Sequence, residues 1–121
     1  MGNLLIVFIG GGIGSVARYL VSLAIADRSP SFPLPTLLVN VVGCFAAGVI
    51  LARMMPFPTP AHPTRLMLVV GFLGGLTTFS AFGLETMVLL KDGRAGAAGL
   101  NVMLNVAGSL LAAWGGWTLF K

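Results

Sequence analysis

The sequence predicts an all-α membrane protein of four transmembrane helices, and three observations carry that prediction. Charged residues make up 8% of the 121-residue chain and hydrophobic ones 57%, against roughly 25% and 45–50% in a soluble domain. Four apolar stretches each reach the ~20 residues that a helix needs to cross a bilayer. Only short segments rich in proline, glycine or charge separate them, and none is long enough to divide the chain into domains. Residues 1–121 are therefore expected to form one transmembrane domain, with helices at about 4–26, 34–55, 66–90 and 95–120. Four consecutive helices with almost no polar faces do not fit a soluble fold, because some surface must meet water. Such a subunit is too short to enclose a pore alone, so it is expected to be half of a dimer.

The first stretch follows Met1-Gly2-Asn3, which lacks the positive n-region of a secretory signal, so it is expected to persist as a helix. Ile6 stands where a myristoylation pattern requires Ser or Thr. Gly10-Gly11-Gly12-Ile13-Gly14 lies within this helix, and Asp27-Arg28-Ser29-Pro30-Ser31-Phe32-Pro33 reads as the turn that ends it. The second stretch carries Gly43 and Ala47 four residues apart, and the third carries Gly71 and Gly75 at the same spacing. Small residues so spaced let helices approach closely in lipid. Pro56, Pro58, Pro60 and Pro63 exclude helix between the second and third stretches. Lys91-Asp92-Gly93-Arg94 forms a tight charged loop before the fourth.

Seven Lys and Arg against three acids give a net charge of +4, which reflects scarce acids; no clustered basic face suggests nucleic-acid binding. With four spans, Arg53, Arg65 and Lys121 share one side of the membrane, and Arg28, Lys91 and Arg94 the other. The positive-inside rule finds no preference in that balance. Insertion in both orientations, with antiparallel pairing, is the expectation; the alternative is an orientation set by a partner. The single cysteine, Cys44, allows no intramolecular disulfide, and His62 sits in the proline-rich loop. Neither builds an enzyme site.

Polar groups inside a span are costly and usually paired or functional. Arg18 and Glu85 fall near the same membrane side, and read most simply as an ion pair or as snorkelling side chains; Arg18 at an anion-attracting vestibule is the alternative. Asn101, Asn105 and Ser109 follow an i, i+4, i+8 spacing that puts them on one helix face. Such a stripe is either a hydrogen-bonded seam or the lining of a pathway, and both readings stay open. Asn40 adds amide donors in the second helix. None of these groups is a carboxylate, so a lining made of them suits an anion or neutral solute better than a cation.

The most informative segment is Gly71-Phe72-Leu73-Gly74-Gly75-Leu76-Thr77-Thr78-Phe79-Ser80-Ala81-Phe82. Adjacent glycines and a Thr pair predict a break in the middle of the third helix. Irregular backbone at membrane depth is tolerated only when buried in protein or lining a cavity. Carbonyls freed there are oxygen ligands of the kind hard cations use. Phe79 and Phe82, three apart, project from one face; they are ordinary packing aromatics or rings presenting electropositive edges to an anion.

This segment, with Gly11-Gly12-Ile13-Gly14-Ser15-Val16-Ala17-Arg18-Tyr19 and Thr36-Leu37-Leu38-Val39-Asn40-Val41-Val42-Gly43, resembles the Fluc/CrcB family of fluoride channels over essentially the whole chain. The resemblance implies an antiparallel dual-topology homodimer in the bacterial inner membrane, with two fluoride pathways and a structural Na⁺ at the dimer centre. It assigns the Na⁺ to backbone carbonyls of Gly74 and Thr77 from both subunits. It assigns the pathway to Asn40, Phe79, Phe82 and Ser109, and the Asn101 and Asn105 face is expected to supply further donors to it. Asn101 and Asn105 stand where the family commonly has a Tyr and a Ser, and Ala81 where it often has Thr. An asparagine can donate to fluoride, yet its carbonyl repels the ion unless turned away. The implied function is passive export of cytoplasmic fluoride, giving fluoride resistance. Two rival readings are a small proton-coupled cation exporter, which wants an intramembrane carboxylate early in the first helix where this chain has Arg18, and a non-transporting assembly subunit.

Overall fold

The structure is a computed structural model that describes every residue except Pro30, with Ala26 described by its backbone only. The predicted turn at 27–33 thus includes one position outside the described residues. Four helices among the described residues are long and apolar enough to cross a membrane: α1, Gly2–Ile25; α2, Leu34–Met54; α3, Pro63–Lys91; and α4, Ala95–Phe120. Proline opens two of them, at Pro35 in the first turn of α2 and at Pro63 in α3. There the missing N–H removes nothing that the helix would use.

Two further local features set the outline of the bundle. After α1 the chain tightens into a single 3₁₀ turn, Ala26–Arg28. Between α3 and α4 the turn is closed by Gly93 at φ +73°. Its N–H reaches the Leu90 carbonyl at 3.0 Å, and the Arg94 N–H reaches that of Leu89 at 2.9 Å. This paired closure is a Schellman cap, in which a left-handed residue satisfies the last carbonyls of a helix. It returns α4 directly alongside the second half of α3.

Within α3 the backbone changes character twice. Leu66–Leu73 is wound as a wide π-type helix, Gly74–Leu76 forms one α-turn, and α-helix resumes only at Phe79–Lys91. Thr77 (φ −82°, ψ 156°) and Thr78 (φ −153°, ψ 118°) are extended. The Thr78 hydroxyl caps the resumed helix by accepting from the Ala81 N–H at 3.2 Å, as short hydroxyl side chains do at a helix start.

The interruption divides the packing. α1 lies on the first half of α3, whereas the second half of α3 lies mainly on α4 and α2 packs along the second part of α4. Glycines make the α1 crossing possible. A Cβ on Gly14 would strike the Phe72 carbonyl oxygen, and one on Gly75 the Gly11 carbonyl oxygen. Gly48 and Gly116 play the same part between α2 and α4, each lying against a carbonyl of the other helix. The buried apolar cluster is small, centred on Val39, Leu73 and Leu76. Many large apolar side chains face outward along α1, α2 and α4, which is stable in lipid or against another protein surface but not in water.

Candidate functional site

The extended pair Thr77–Thr78 is the seed of the site. Where a helix continues, the N–H of Thr78 would close onto the Gly74 carbonyl and that of Ala81 onto the Thr77 carbonyl. Here Thr78 N–H donates instead to Asn40 Oδ1 at 2.8 Å, and Ala81 N–H to the Thr78 hydroxyl. The Gly74 and Thr77 carbonyls thereby lose their helical donors. A backbone carbonyl released this way is a neutral oxygen donor of the kind that hard cations take as ligands. No cluster of three or more His, Cys, Asp or Glu side chains fit for a metal occurs among the described residues.

Beside the interruption lies a partly open cavity of about 210 Å³, lined by Asn40, Thr77, Phe79, Phe82, Asn105 and Ser109 among others. α2 supplies Asn40, the resumed half of α3 both phenylalanines, and α4 Asn105 and Ser109. The two rings meet at an interplanar angle of 61° with centroids 5.2 Å apart. Phe82 is buried, whereas Phe79 is 80% exposed. Among the described residues, no acidic or basic side chain lines the cavity. Ser109 is buried, and its hydroxyl oxygen has no hydrogen-bond partner. A buried hydroxyl left unpaired is costly unless something enters to meet it.

The asparagines form one connected set. Asn40 Nδ2 donates to the Thr78 carbonyl at 3.2 Å and to Asn105 Oδ1 at 2.9 Å. Asn105 Nδ2 donates to the Asn101 carbonyl at 3.1 Å and to Asn101 Oδ1 at 2.9 Å. Asn101, fully buried at 0% exposure, donates from Nδ2 to the Thr86 hydroxyl at 2.9 Å. Thr86 in turn donates to the Phe82 carbonyl at 2.8 Å. Of the two readings open for the fourth-helix stripe, Asn101 and the donor side of Asn105 follow the hydrogen-bonded seam. Only Asn105 and Ser109 of that stripe reach the cavity.

Of the readings open for Arg18 and Glu85, the ion pair does not form. Arg18 Nε donates to the Gly75 carbonyl at 3.0 Å, and Glu85 Oε1 accepts from the Thr36 hydroxyl at 2.6 Å. The reason is the divided packing: Arg18 rides on α1 against the first half of α3, and Glu85 belongs to the second half. Arg18 consequently sits at the interruption rather than at the far end of the helix. Glu85 Oε2 is buried without a partner and borders a second cavity of about 330 Å³ that Asp92 and Arg94 also line. Sequence reasoning gave no role to Thr36 or Thr86, and gave Thr78 only its part in the break of the third helix. A signal was present, since Thr78, Phe82 and Thr86 repeat at i, i+4, i+8, the spacing that singled out the stripe on α4.

Comparison with known proteins accords with this geometry. The family described as "CrcB-like protein, Camphor Resistance (CrcB)" matches residues 5–117. A Pectobacterium carotovorum protein named "Fluoride-specific ion channel FluC" is 46% identical over 109 residues, which cover 90% of this chain and 86% of that protein. "Fluoride-specific ion channel FluC 1" of Yersinia pestis is 47% identical over 108 residues, covering 89% and 85%. A Sphingopyxis alaskensis protein also named "Fluoride-specific ion channel FluC" is 42% identical over 122 residues, covering 100% and 97%.

Proposed function

The chain belongs to the CrcB family, and on that premise we propose that it is a passive, fluoride-selective channel that lets cytoplasmic fluoride leave the cell. It is a multi-pass bacterial membrane protein and a transporter, not an enzyme. The observation that carries the reading is the cavity at the α3 interruption: amide and hydroxyl groups and two edge-to-face phenyl rings, with no acidic side chain among the described lining residues.

Fluoride is small and strongly hydrated, so a pathway must replace its water with donors. Asn40 and the unpartnered hydroxyl of Ser109 supply N–H and O–H groups, and the rings of Phe79 and Phe82 supply C–H edges of partial positive charge. Asn105 contributes by fixing one wall, and Asn101 lies behind it. The working unit is an antiparallel, dual-topology homodimer, in which the outward-facing ring of Phe79 is covered by the partner subunit. The interruption lies at mid-membrane depth. The Gly74 and Thr77 carbonyls of both subunits would hold a structural Na⁺ there, supplying fixed positive charge at the dimer centre. Arg18, bound to the adjacent Gly75 carbonyl, adds to the same positive potential at the interruption. Hydrogen fluoride crosses membranes and dissociates at cytoplasmic pH, so a downhill exit for the trapped anion confers resistance. A proton-coupled cation exporter would need a carboxylate in the path, and Glu85 instead engages Thr36 outside this cavity.

The test is efflux from liposomes containing only this protein, read with a fluoride electrode against a chloride control and with no imposed proton gradient. Fluoride should leave rapidly and chloride should not. Equal release of both ions, or release no faster than from protein-free liposomes, would overturn the assignment.

A further inference from the structure

Five hydrogen bonds around the cavity form a chain that runs one way. Thr78 N–H donates to Asn40, Asn40 to Asn105, Asn105 to Asn101, Asn101 to Thr86, and Thr86 to the Phe82 carbonyl. Each end closes on backbone of the α3 segment that carries the two phenylalanines. A backbone N–H can only donate and a carbonyl only accept, so the two ends fix which way every amide between them points. Asn40 must present Oδ1 to Thr78, and Asn105 must present Oδ1 to Asn40. Bonds aligned head to tail also polarise one another.

A donor inventory then shows what an anion has to displace. An asparagine amide carries two N–H groups. Both from Asn40 are engaged, by the Thr78 carbonyl and by Asn105. Both from Asn105 point to Asn101. An anion in the cavity therefore takes an N–H that a protein acceptor already holds. The longer of the two Asn40 bonds, 3.2 Å to the Thr78 carbonyl, is the one most readily given up. Once it is given up, Asn105 is the remaining acceptor for the Asn40 amide.

We propose that Asn105, with Asn101 behind it, is a positioning residue for Asn40: it holds the amide by one N–H so that the other stays aimed into the cavity for the anion. This rests on the channel reading. Neither Asn101 nor the N–H groups of Asn105 touch the ion. The two asparagines serve instead to keep Asn40 from turning its oxygen toward it.

The chain has four asparagines, Asn3, Asn40, Asn101 and Asn105, and no glutamine, so selective ¹⁵N labelling of asparagine amides leaves four side-chain NH₂ pairs to follow by NMR. The Asn40 pair is identified by its loss in Asn40→Ala. In the purified wild-type protein it should be single and should shift with sodium fluoride but not with sodium chloride. In Asn105→Leu it should split or broaden and lose its fluoride response, with fluoride flux per folded protein at least tenfold lower. Asn105→Ala serves the same test if the leucine variant does not fold. Asn105→Asp keeps an acceptor facing Asn40, so its Asn40 pair should remain single even where the added charge slows flux. A merely structural Asn105 would alter stability and leave the Asn40 pair single and fluoride-responsive. That result, or wild-type flux through Asn105→Leu, overturns the proposal. Absence of fluoride flux in the wild type would overturn the channel reading instead, and the Asn40 pair would still report whether Asn105 sets its orientation.

Discussion

Thr86→Val tests the far end of the amide chain with the smallest change of shape. Valine replaces the hydroxyl by a methyl group of similar size, so the volume at the α3–α4 contact is nearly kept. Two hydrogen bonds go: the 2.8 Å bond to the Phe82 carbonyl and the 2.9 Å bond from Asn101 Nδ2. The first costs little, because Phe82 lies within helix and its carbonyl keeps a place in the helical ladder. The second leaves an amide N–H without an acceptor on a residue of 0% exposure, where no water can replace it. A buried donor left unpaired costs about 1–3 kcal/mol, and that is the expected loss of stability. Reversible unfolding in mixed detergent micelles measures it through Trp114 and Trp117, the two tryptophans of the chain, which share α4 with Asn101. Thr118→Val is the control. The Thr118 hydroxyl makes the same bond to the carbonyl four residues back, at 2.9 Å to Trp114, but in an exposed setting, so its change should stay within about 0.5 kcal/mol. Thr86→Ser should recover most of the lost stability. If Thr86→Val unfolds like the wild type, Asn101 finds another acceptor and the ordered chain of amides is wrong.

Three further outcomes are expected. On the proposed dimer, Phe79→Ile and Phe82→Ile, made separately, should each cut fluoride flux per assembled protein severely while gel filtration finds the same assembly as in the wild type; as plain packing residues they would cost under about 1.5 kcal/mol of stability and leave that flux near normal. Gly14→Ala should destabilise by about 1–3 kcal/mol, as overpacking does, because its Cβ meets the Phe72 carbonyl, whereas Gly99→Ala, with open space around it, should not; equal unfolding midpoints would refute the close α1 crossing. In a Cys44→Ala background, a cysteine placed at Lys91 should be labelled by an impermeant reagent from both faces of the membrane, and labelling from one face alone would rule out dual topology.

The four spans were legible because length, apolarity and punctuation are properties of the chain alone. So was the weak point of α3, since adjacent glycines followed by Thr77 and Thr78 favour non-helical backbone whatever surrounds them. What could not be read was rotation about each helix axis. A helix apolar on every side carries no stripe that says which face meets a neighbour. Asn101, Asn105 and Ser109 share a face by spacing, yet Asn101 lies in a seam and Ser109 at the cavity because α3 covers one end of that face. Whether Arg18 pairs with Glu85 could not be read for a related reason: a shared side of the membrane does not imply a shared helix–helix contact. Thr36 and Thr86 take their roles from partners far along the chain, Glu85 and Asn101; a single-segment spacing places Thr86 on a face but does not name such a partner.

The extended residues Thr77 and Thr78 also make α3 a jointed rod. Its first half is locked into the glycine crossing with α1, and its second half is tied through asparagines and threonines to α2 and α4. Bending forces pass along a continuous helix through its hydrogen-bond ladder, and here that ladder is cut. A distortion on the α1 side is therefore not carried along the α3 backbone to the phenylalanines. Substitutions confined to the outward face of α1 should accordingly spare the cavity, provided that Ala17 and Val21 keep their packing on the Val39 cluster and Arg18 its hold on the Gly75 carbonyl.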